Sequence, residues 1–363
     1  MRIQWVDSWR GILIFLVVLG HLEGMCYHFA PSTSKNLFDF IYKIIYSFHM
    51  PAFFLLGGLL WSAKVESFGN YFLRKARRLI APYLFWGFFS AGIYVLGKCF
   101  LVEVFDGAQT EAYVGKGSEM WWMPFLSILH AGGWPNGHGF QCNSVLWFLP
   151  AIFTVEIVFF WIGKFSQKIV FLLVILGISL SLGFFAQDVL AGAPWGMGLL
   201  FWYMPYFIVG RVINIVSYNR FELNWRWWNW LLLVTLFCVH FIVCFVTPNM
   251  VVAYSSFAWY VVFFIIALLG VLTSAVVARL FDCTYLQRLG RASLVIMLFH
   301  KFIILFFMNI IPIAKHLHKV NVVIGFIVPI LVSVLVVGVC QEIYRFLVKR
   351  TPKLIGENNV CSH

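Results

Sequence analysis

Long apolar runs separated by short polar segments dominate the hydrophobic pattern of this chain. Each run is bounded by glycine, proline or charge, and each is about as long as the roughly 20 residues that a helix needs to cross a bilayer. The runs lie at residues 9–29, 38–62, 79–101, 145–163, 169–186, 197–216, 229–246, 254–278, 292–311 and 322–347. The pattern predicts an all-α integral membrane protein, a bundle of about ten transmembrane helices.

Composition supports this prediction and excludes an ordinary soluble domain. Hydrophobic residues make up 62% of the 363 residues and charged residues 11%, whereas soluble domains carry about 25% charge. No small-residue cleavage site follows the first run, so we expect an uncleaved signal anchor. With no linker or repeat in view, residues 1–363 are predicted to form a single polytopic domain, whose longest loop covers about 102–144.

The basic residues predict the orientation in the membrane. If both termini lie in the cytoplasm, most of the 26 lysines and arginines fall on the inner side, as the positive-inside rule requires. The loop at 102–144 then faces outward. Its tryptophans either stack on an acceptor glycan or anchor at the membrane interface. Topology and anionic lipid account for the net charge of +12, so membrane lipid is an expected partner and nucleic acid is not.

The first apolar run carries a charged and a titratable residue on one face. Arg10 and His21 are eleven residues apart, which on a helix comes to only about 20° more than three turns and to roughly 16 Å of rise. Asp7 lies on the same side and can hold the Arg10 guanidinium. Histidine is the side chain best suited to remove a hydroxyl proton at neutral pH. A histidine that only hydrogen-bonds a neighbouring helix fits this position as well.

Further polar residues are predicted at membrane depth. His49 precedes the helix-breaking Pro51, and His300 lies within the ninth run. Glu156 lies nine residues after Trp147 in the fourth run, and a buried carboxylate there requires a cationic or histidine partner on a neighbouring helix. The eight cysteines have no spacing typical of a metal site, and we expect no bound metal.

Several motifs in sequence order resemble the membrane-bound acyltransferase family 3. The first is an arginine, ten intervening residues and a histidine, which begins at residues 7–11 (DSWRG) and ends at His21. The others lie at residues 47–58 (SFHMPAFFLLGG), 72–83 (FLRKARRLIAPY), 146–150 (LWFLP), 206–210 (YFIVG) and 290–300 (GRASLVIMLFH). The resemblance therefore extends over nearly the whole chain.

The resemblance implies an activity and its substrates. Members of this family move acyl groups, mostly acetyl, onto sugar hydroxyls of surface glycans and lipids. It therefore implies an O-acyltransferase of the bacterial cytoplasmic (inner) membrane, with acetyl-CoA as donor, a glycan or glycolipid as acceptor and no permanently bound cofactor.

The resemblance also implies roles for particular residues. His21 would act as general base or acyl relay, and Arg10 would orient the donor or the helix. Fork-shaped guanidinium groups suit phosphates, so a basic cluster at the start of the third predicted span would bind the CoA phosphates. That cluster consists of Arg74, Lys75, Arg77 and Arg78. The residues expected to contact substrate or to support the site are Asp7, His49, Trp147, Glu156 and His300.

Two other function classes remain open at this point. A ten-span bundle with intramembrane histidine, glutamate and arginine could be a secondary transporter that binds its substrate at the midplane. It could also be a non-catalytic membrane subunit of a glycan export complex. Corresponding halves of the chain show no pair of Gly- or Pro-interrupted segments, an observation that speaks weakly against the transporter.

Overall fold

A computed structural model describes most of the apolar runs and fewer of the segments between them. The described residues are 3–22, 35–62, 66–100, 121–131, 143–185, 189–190, 192–217, 227–247, 256–310 and 322–357. Within these ranges every regular element is a helix. The predicted outward loop at 102–144 falls almost entirely outside the described residues.

Twelve α-helices occupy the described residues. They are α1 (Gln4–Gly20), α2 (Lys35–Leu59), α3 (Phe68–Lys75), α4 (Ala81–Phe100), α5 (Met123–His130), α6 (Phe148–Phe165), α7 (Ile169–Phe185), α8 (Leu200–Ser217), α9 (Trp227–Val246), α10 (Phe257–Leu280), α11 (Thr284–Ile310) and α12 (Val322–Arg350). A π-helical segment, Ala76–Ile80, joins α3 to α4. Short 3-10 helices at Ser144–Trp147 and Pro194–Leu199 lead into α6 and α8, and Pro352–Ile355 follows α12.

Each of the ten predicted spans falls on one of these helices. Within the described part, six helical segments are long and apolar enough to cross a membrane: Lys35–Leu59, Ser144–Phe165, Pro194–Val216, Trp227–Val246, Phe257–Leu280 and Gly325–Arg350. Large apolar side chains also point outward, as with Val170 of α7 at 74% and Phe245 of α9 at 72% exposure, which suits contact with lipid. The protein is thus an integral membrane protein that is all-helical in its described residues, and the total of ten spans stays a prediction.

The helices form two compact units. The first contains residues 1–60 and 209–344, and the second contains residues 61–208 and 345–363. Each unit therefore draws on two separate stretches of the chain. One boundary follows the end of α2, and the other two fall within α8 and α12. The prediction of a single domain is not tested by this division.

In the first unit, α1 packs against α2, α10 and α11. Its buried side chains recur at helical spacing and include Val6, Leu13 and Val17. The Trp9 indole N–H donates to Ser274 Oγ of α10 at 3.0 Å, so the one polar atom of this buried ring is satisfied. Burial on three sides fixes α1 in the position from which it presents His21.

In the second unit, α4 packs against α5 and against the C-terminal 3-10 helix. The buried Tyr83 hydroxyl donates to Ile128 O at 2.6 Å, and the Trp86 indole N–H donates to Leu354 O at 3.0 Å. Phe159 of α6 and Phe207 of α8 pack ring against ring and are completely buried. The two hydrogen bonds hold α4, the helix that follows the basic segment.

Candidate active site

The predicted base, His21, lies at the C-terminal end of α1. Gly20 is the last helical residue, and the His21 backbone N–H still donates to Val17 O at 3.1 Å. Because the helix is unbroken from Arg10 onward, the two side chains keep the shared face and the rise of roughly 16 Å that their spacing predicts. Leu22 forms a turn, and the predicted continuation of the helix to residue 29 otherwise lies outside the described residues.

The imidazole of His300 lies against that of His21. The two ring centroids are 5.2 Å apart and the ring planes are inclined by 36°. His300 comes from the middle of α11 and is completely buried, whereas His21 is partly buried. The structure thus brings together two predicted site residues from opposite ends of the sequence.

Hydrogen bonds to helix carbonyls define the tautomers of two buried histidines. His300 Nδ1 lies 2.7 Å from Ile296 O, and His49 Nδ1 lies 2.8 Å from Ile45 O. A carbonyl oxygen only accepts, so each Nδ1 carries the hydrogen and the neutral ring keeps its lone pair on Nε2. In the described part of the chain, the buried His300 Nε2 has no hydrogen-bond partner. Leaving such an acceptor unpaired costs about 1 to 3 kcal/mol, which a bound group could recover.

His49 completes a cluster around the end of α1. Its ring makes an edge-on contact with the Tyr46 ring, with centroids 5.1 Å apart, and the Tyr46 hydroxyl lies next to Gly20. His21 interacts electrostatically with His300, Lys301 and His49. Lys301 is not among the residues that the sequence predicts for the site. Its position directly after His300, within an apolar run, is the signal that marks it as a member of this cluster.

The N-terminal part of α1 carries the predicted ion pair. Arg10 Nη1 lies 3.6 Å from Asp7 Oδ1; the Arg10 side chain is 27% exposed and that of Asp7 is 6% exposed. The neighbouring Ser8 hydroxyl donates to Asp282 Oδ1 at 2.5 Å. Asp7 therefore holds Arg10 as the spacing predicts, and the role of Arg10 in donor placement stays a prediction.

Two glycines allow α1 and α11 to approach each other closely. A Cβ atom at Gly290 would overlap the carbonyl oxygen of Asp7, and one at Gly11 would overlap the carbonyl oxygen of Leu286. In both cases the obstacle is backbone, which cannot move aside as a flexible side chain can. The absence of a side chain at these positions therefore sets the distance at which His300 meets His21.

Gly290→Ala should destabilise the first unit because the added methyl group forces α1 away from α11. Overpacking of this kind costs about 1 to 3 kcal/mol, so the thermal unfolding midpoint of the purified protein in detergent should fall clearly. Gly338→Ala is the matched control, since a Cβ atom there would meet nothing within 4 Å. Equal midpoints for the two variants would contradict the close helix contact.

The basic segment lies in the second unit, and its four cations divide into two pairs. Arg74 forms an ion pair with Glu66, and Lys75 Nζ lies 2.6 Å from Glu156 Oε2. Arg77 and Arg78 are exposed, and within the described residues neither has an ion-pair partner. They lie on the π-helical segment, a distortion that is frequent at functional sites. These two arginines are therefore the better candidates for binding a polyanion.

The Lys75–Glu156 pair explains how a carboxylate is tolerated within a predicted span. The two side chains are 14% and 9% exposed, and Lys75 Nζ also lies over the Tyr71 ring, 5.6 Å from its centroid. Burial lowers the pKa of Lys75, while the Glu156 carboxylate opposes that shift. Tyr71 completes the arrangement by donating from its hydroxyl to Glu156 O at 3.4 Å. Lys75 is thus the partner that the sequence requires for Glu156.

Glu156→Gln should destabilise the second unit because it leaves the buried Lys75 ammonium unpaired. Breaking a buried ion pair on one side costs about 3 to 5 kcal/mol. The double variant Lys75→Met with Glu156→Gln should recover most of that loss. Thermal unfolding of the wild type, the single variants Lys75→Met and Glu156→Gln, and the double variant measures the coupling between the two side chains. Additive losses in this cycle would mean that the two side chains do not stabilise each other.

Trp147 is partly covered by a second aromatic ring. It ends the 3-10 helix before α6, and its ring stacks on that of Tyr203, with centroids 5.7 Å apart and planes inclined by 26°. Both side chains are half-buried. Stacked aromatic rings can support a sugar face, so Trp147 stays a predicted substrate contact, in the unit that also holds the basic segment.

A comparison with protein families decides what kind of protein carries these residues. A family model described as an acyltransferase domain matches residues 3–341, nearly the whole chain. The chain belongs to acyltransferase family 3. The motifs predicted this family, and this acyltransferase family 3 member is an integral membrane protein. The matched residues include the histidine cluster and the basic segment.

Curated relatives match a shorter part of this family member. The nodulation protein NolL of Mesorhizobium japonicum is 38% identical over 82 residues, and NolL of Sinorhizobium fredii is 39% identical over 82 residues. The match covers 22% of this chain, and 21% and 22% of the two relatives, which is about a fifth of their length. No solved structure matches the chain significantly.

Proposed function

We propose that this membrane acyltransferase moves an acetyl group from acetyl-CoA to a sugar hydroxyl of a surface or lipid-linked glycan, in a bacterial cytoplasmic (inner) membrane. The observation that carries the proposal is the buried histidine cluster at the end of α1, in which His21 lies against His300. Membership of the family favours group transfer over the secondary transporter and over the non-catalytic subunit.

The chemistry assigns His21 the part of general base. A sugar hydroxyl is a poor nucleophile until its proton is removed, and an imidazole can accept that proton. The hydroxyl oxygen then attacks the thioester carbon, a new C–O bond forms and the C–S bond breaks. The proton on His21 passes to the departing CoA thiolate, so the base returns to its starting state after each turnover.

Binding of the donor is assigned to Arg77 and Arg78. Both are exposed, and neither has an ion-pair partner among the described residues, so their guanidinium groups are available to phosphate oxygens. Arg74 and Lys75 support the same segment through their carboxylate partners. Only Arg77 and Arg78 are therefore proposed to contribute directly to binding of the CoA phosphates.

Mass spectrometry of surface glycans tests the proposed function in cells. A strain lacking the gene should lose acetyl groups from one glycan, and the wild-type gene should restore them. An unchanged acetylation pattern in the deletion strain would contradict the assignment of a glycan acceptor.

The proposed orientation predicts which loops are accessible from outside. A single cysteine placed at Gly115, within the 102–144 loop, should react with a membrane-impermeant thiol reagent in intact cells. One at Ser67, just before α3, should react only after the cells are opened. The control is the parent protein with its eight native cysteines replaced. The opposite labelling pattern would exclude a cytoplasmic donor site.

A further inference from the structure

We propose that His300 is a positioning residue for His21: its Nε2 accepts a hydrogen bond from an N–H of His21 and leaves the other His21 nitrogen free to act as base. The inference rests on the proposed function, because it concerns the same general base. A general base works best when a third group holds its ring in one tautomer and one orientation.

The tautomer of His300 suits this role. Its Nδ1–H donates to Ile296 O at 2.7 Å, which fixes the ring on α11 and places the lone pair on Nε2. This nitrogen is buried, the residue is 0% exposed, and Nε2 has no partner within the described residues. An immobilised acceptor is therefore available beside the base.

The distance between the rings is also suitable. The centroids of His21 and His300 are 5.2 Å apart. An N–H···N bond of about 3 Å, together with the distance from each nitrogen to its ring centre, comes to roughly 5 Å. The spacing of the two rings therefore permits this bond. The close packing at Gly11 and Gly290 keeps the two helices at that separation.

The other groups around His21 are less suitable for this task. The ammonium of Lys301 only donates hydrogen bonds and offers no acceptor. His49 has the same tautomer as His300, but its ring contacts that of Tyr46. His300 is the histidine whose ring lies directly against that of His21. The geometry therefore selects His300 as the partner that orients the base.

Two amide substitutions at this position separate positioning from a structural role. His300→Gln places an amide oxygen near the position of Nε2, whereas the shorter side chain of His300→Asn reaches only the position of Nδ1. We expect kcat to fall about 10- to 100-fold in His300→Asn and His300→Leu and to stay within about fivefold of wild type in His300→Gln. The KM for acetyl-CoA should not change in any of them. His240→Leu, which removes a buried imidazole bound to Ser47, reports the cost of losing any buried histidine.

The same substitutions in a His21→Ala background complete the test. If His300 acts through His21, adding His300→Leu to His21→Ala should cause no further loss of rate. A further loss equal to that in the wild-type background, or equal rates in the Gln and Asn variants, would overturn the inference. Wild-type turnover by His300→Leu beside an inactive His21→Ala would also overturn it and leave the proposed function intact. Wild-type turnover by His21→Ala would instead refute the base assignment itself.

Discussion

Replacing His21 by alanine should abolish glycan acetylation while leaving expression, membrane insertion and acetyl-CoA binding near normal. The substitution removes the group that accepts the hydroxyl proton and touches none of the cations proposed to bind phosphate. Loss of a general base costs about 10²- to 10⁴-fold in rate, or about 3 to 5 kcal/mol of barrier. Release of CoA by the purified protein and mass spectrometry of the glycan both measure this loss.

His240→Ala is the control for the His21 variant. His240 is a buried histidine of the same unit, and its Nε2 lies 3.0 Å from Ser47 Oγ, so its imidazole already has a structural partner. Its loss should lower stability and leave the rate per folded molecule within a few-fold of wild type. Equal loss of rate in the two variants would mean that His21 contributes through packing.

Replacing Arg77 and Arg78 together by glutamine should weaken binding of acetyl-CoA with little loss of fold. Hydrogen bonds to charged groups contribute about 1.5 to 3 kcal/mol each, so each lost contact should lower the affinity about tenfold or more. The remaining binding should also depend less on salt, because screening acts on the charges that were removed. Isothermal titration of the purified protein at two ionic strengths gives both quantities.

Lys164→Gln combined with Lys168→Gln is the matched control for the arginine pair. These two exposed lysines lie in the same unit and on the same predicted side of the membrane, so the control removes the same total charge. Affinity should fall in the arginine variant alone. An equal decrease in both would indicate a general effect of net charge, and an unchanged affinity in the arginine variant would leave the segment with only a role in topology.

Helix positions could be predicted because apolar length is itself the signal in a membrane protein. All ten apolar runs fall on helices, with ends that agree within a few residues for most of them. α11 is the main exception, since it begins at Thr284, eight residues before the predicted start. The first two turns of α11 carry Arg288 and Arg291. A search for apolar runs therefore leaves these two turns out, although they belong to the same helix.

Pairing between helices could be predicted less well, because it depends on which faces meet. The sequence requires a partner for Glu156 but does not identify Lys75, because the position of Lys75 among three arginines indicates phosphate binding instead. Asp7 and Arg10 were paired correctly because both lie on one helix, where spacing alone fixes the contact. The approach of His300 to His21 was not predictable, since it is set by the contacts of Gly11 and Gly290 with backbone.

The central claim is tested most directly by following both halves of the donor in one reaction. Purified protein reconstituted in lipid vesicles would receive acetyl-CoA with a radiolabelled acetyl group, together with the glycan fraction from a deletion strain. The wild-type protein should place label in the glycan and release an equal amount of CoA thiol, and both rates should fall at least about 100-fold in His21→Ala. Release of CoA without labelled glycan, or labelling by His21→Ala at the wild-type rate, would contradict acetyl transfer to a glycan with His21 as its base.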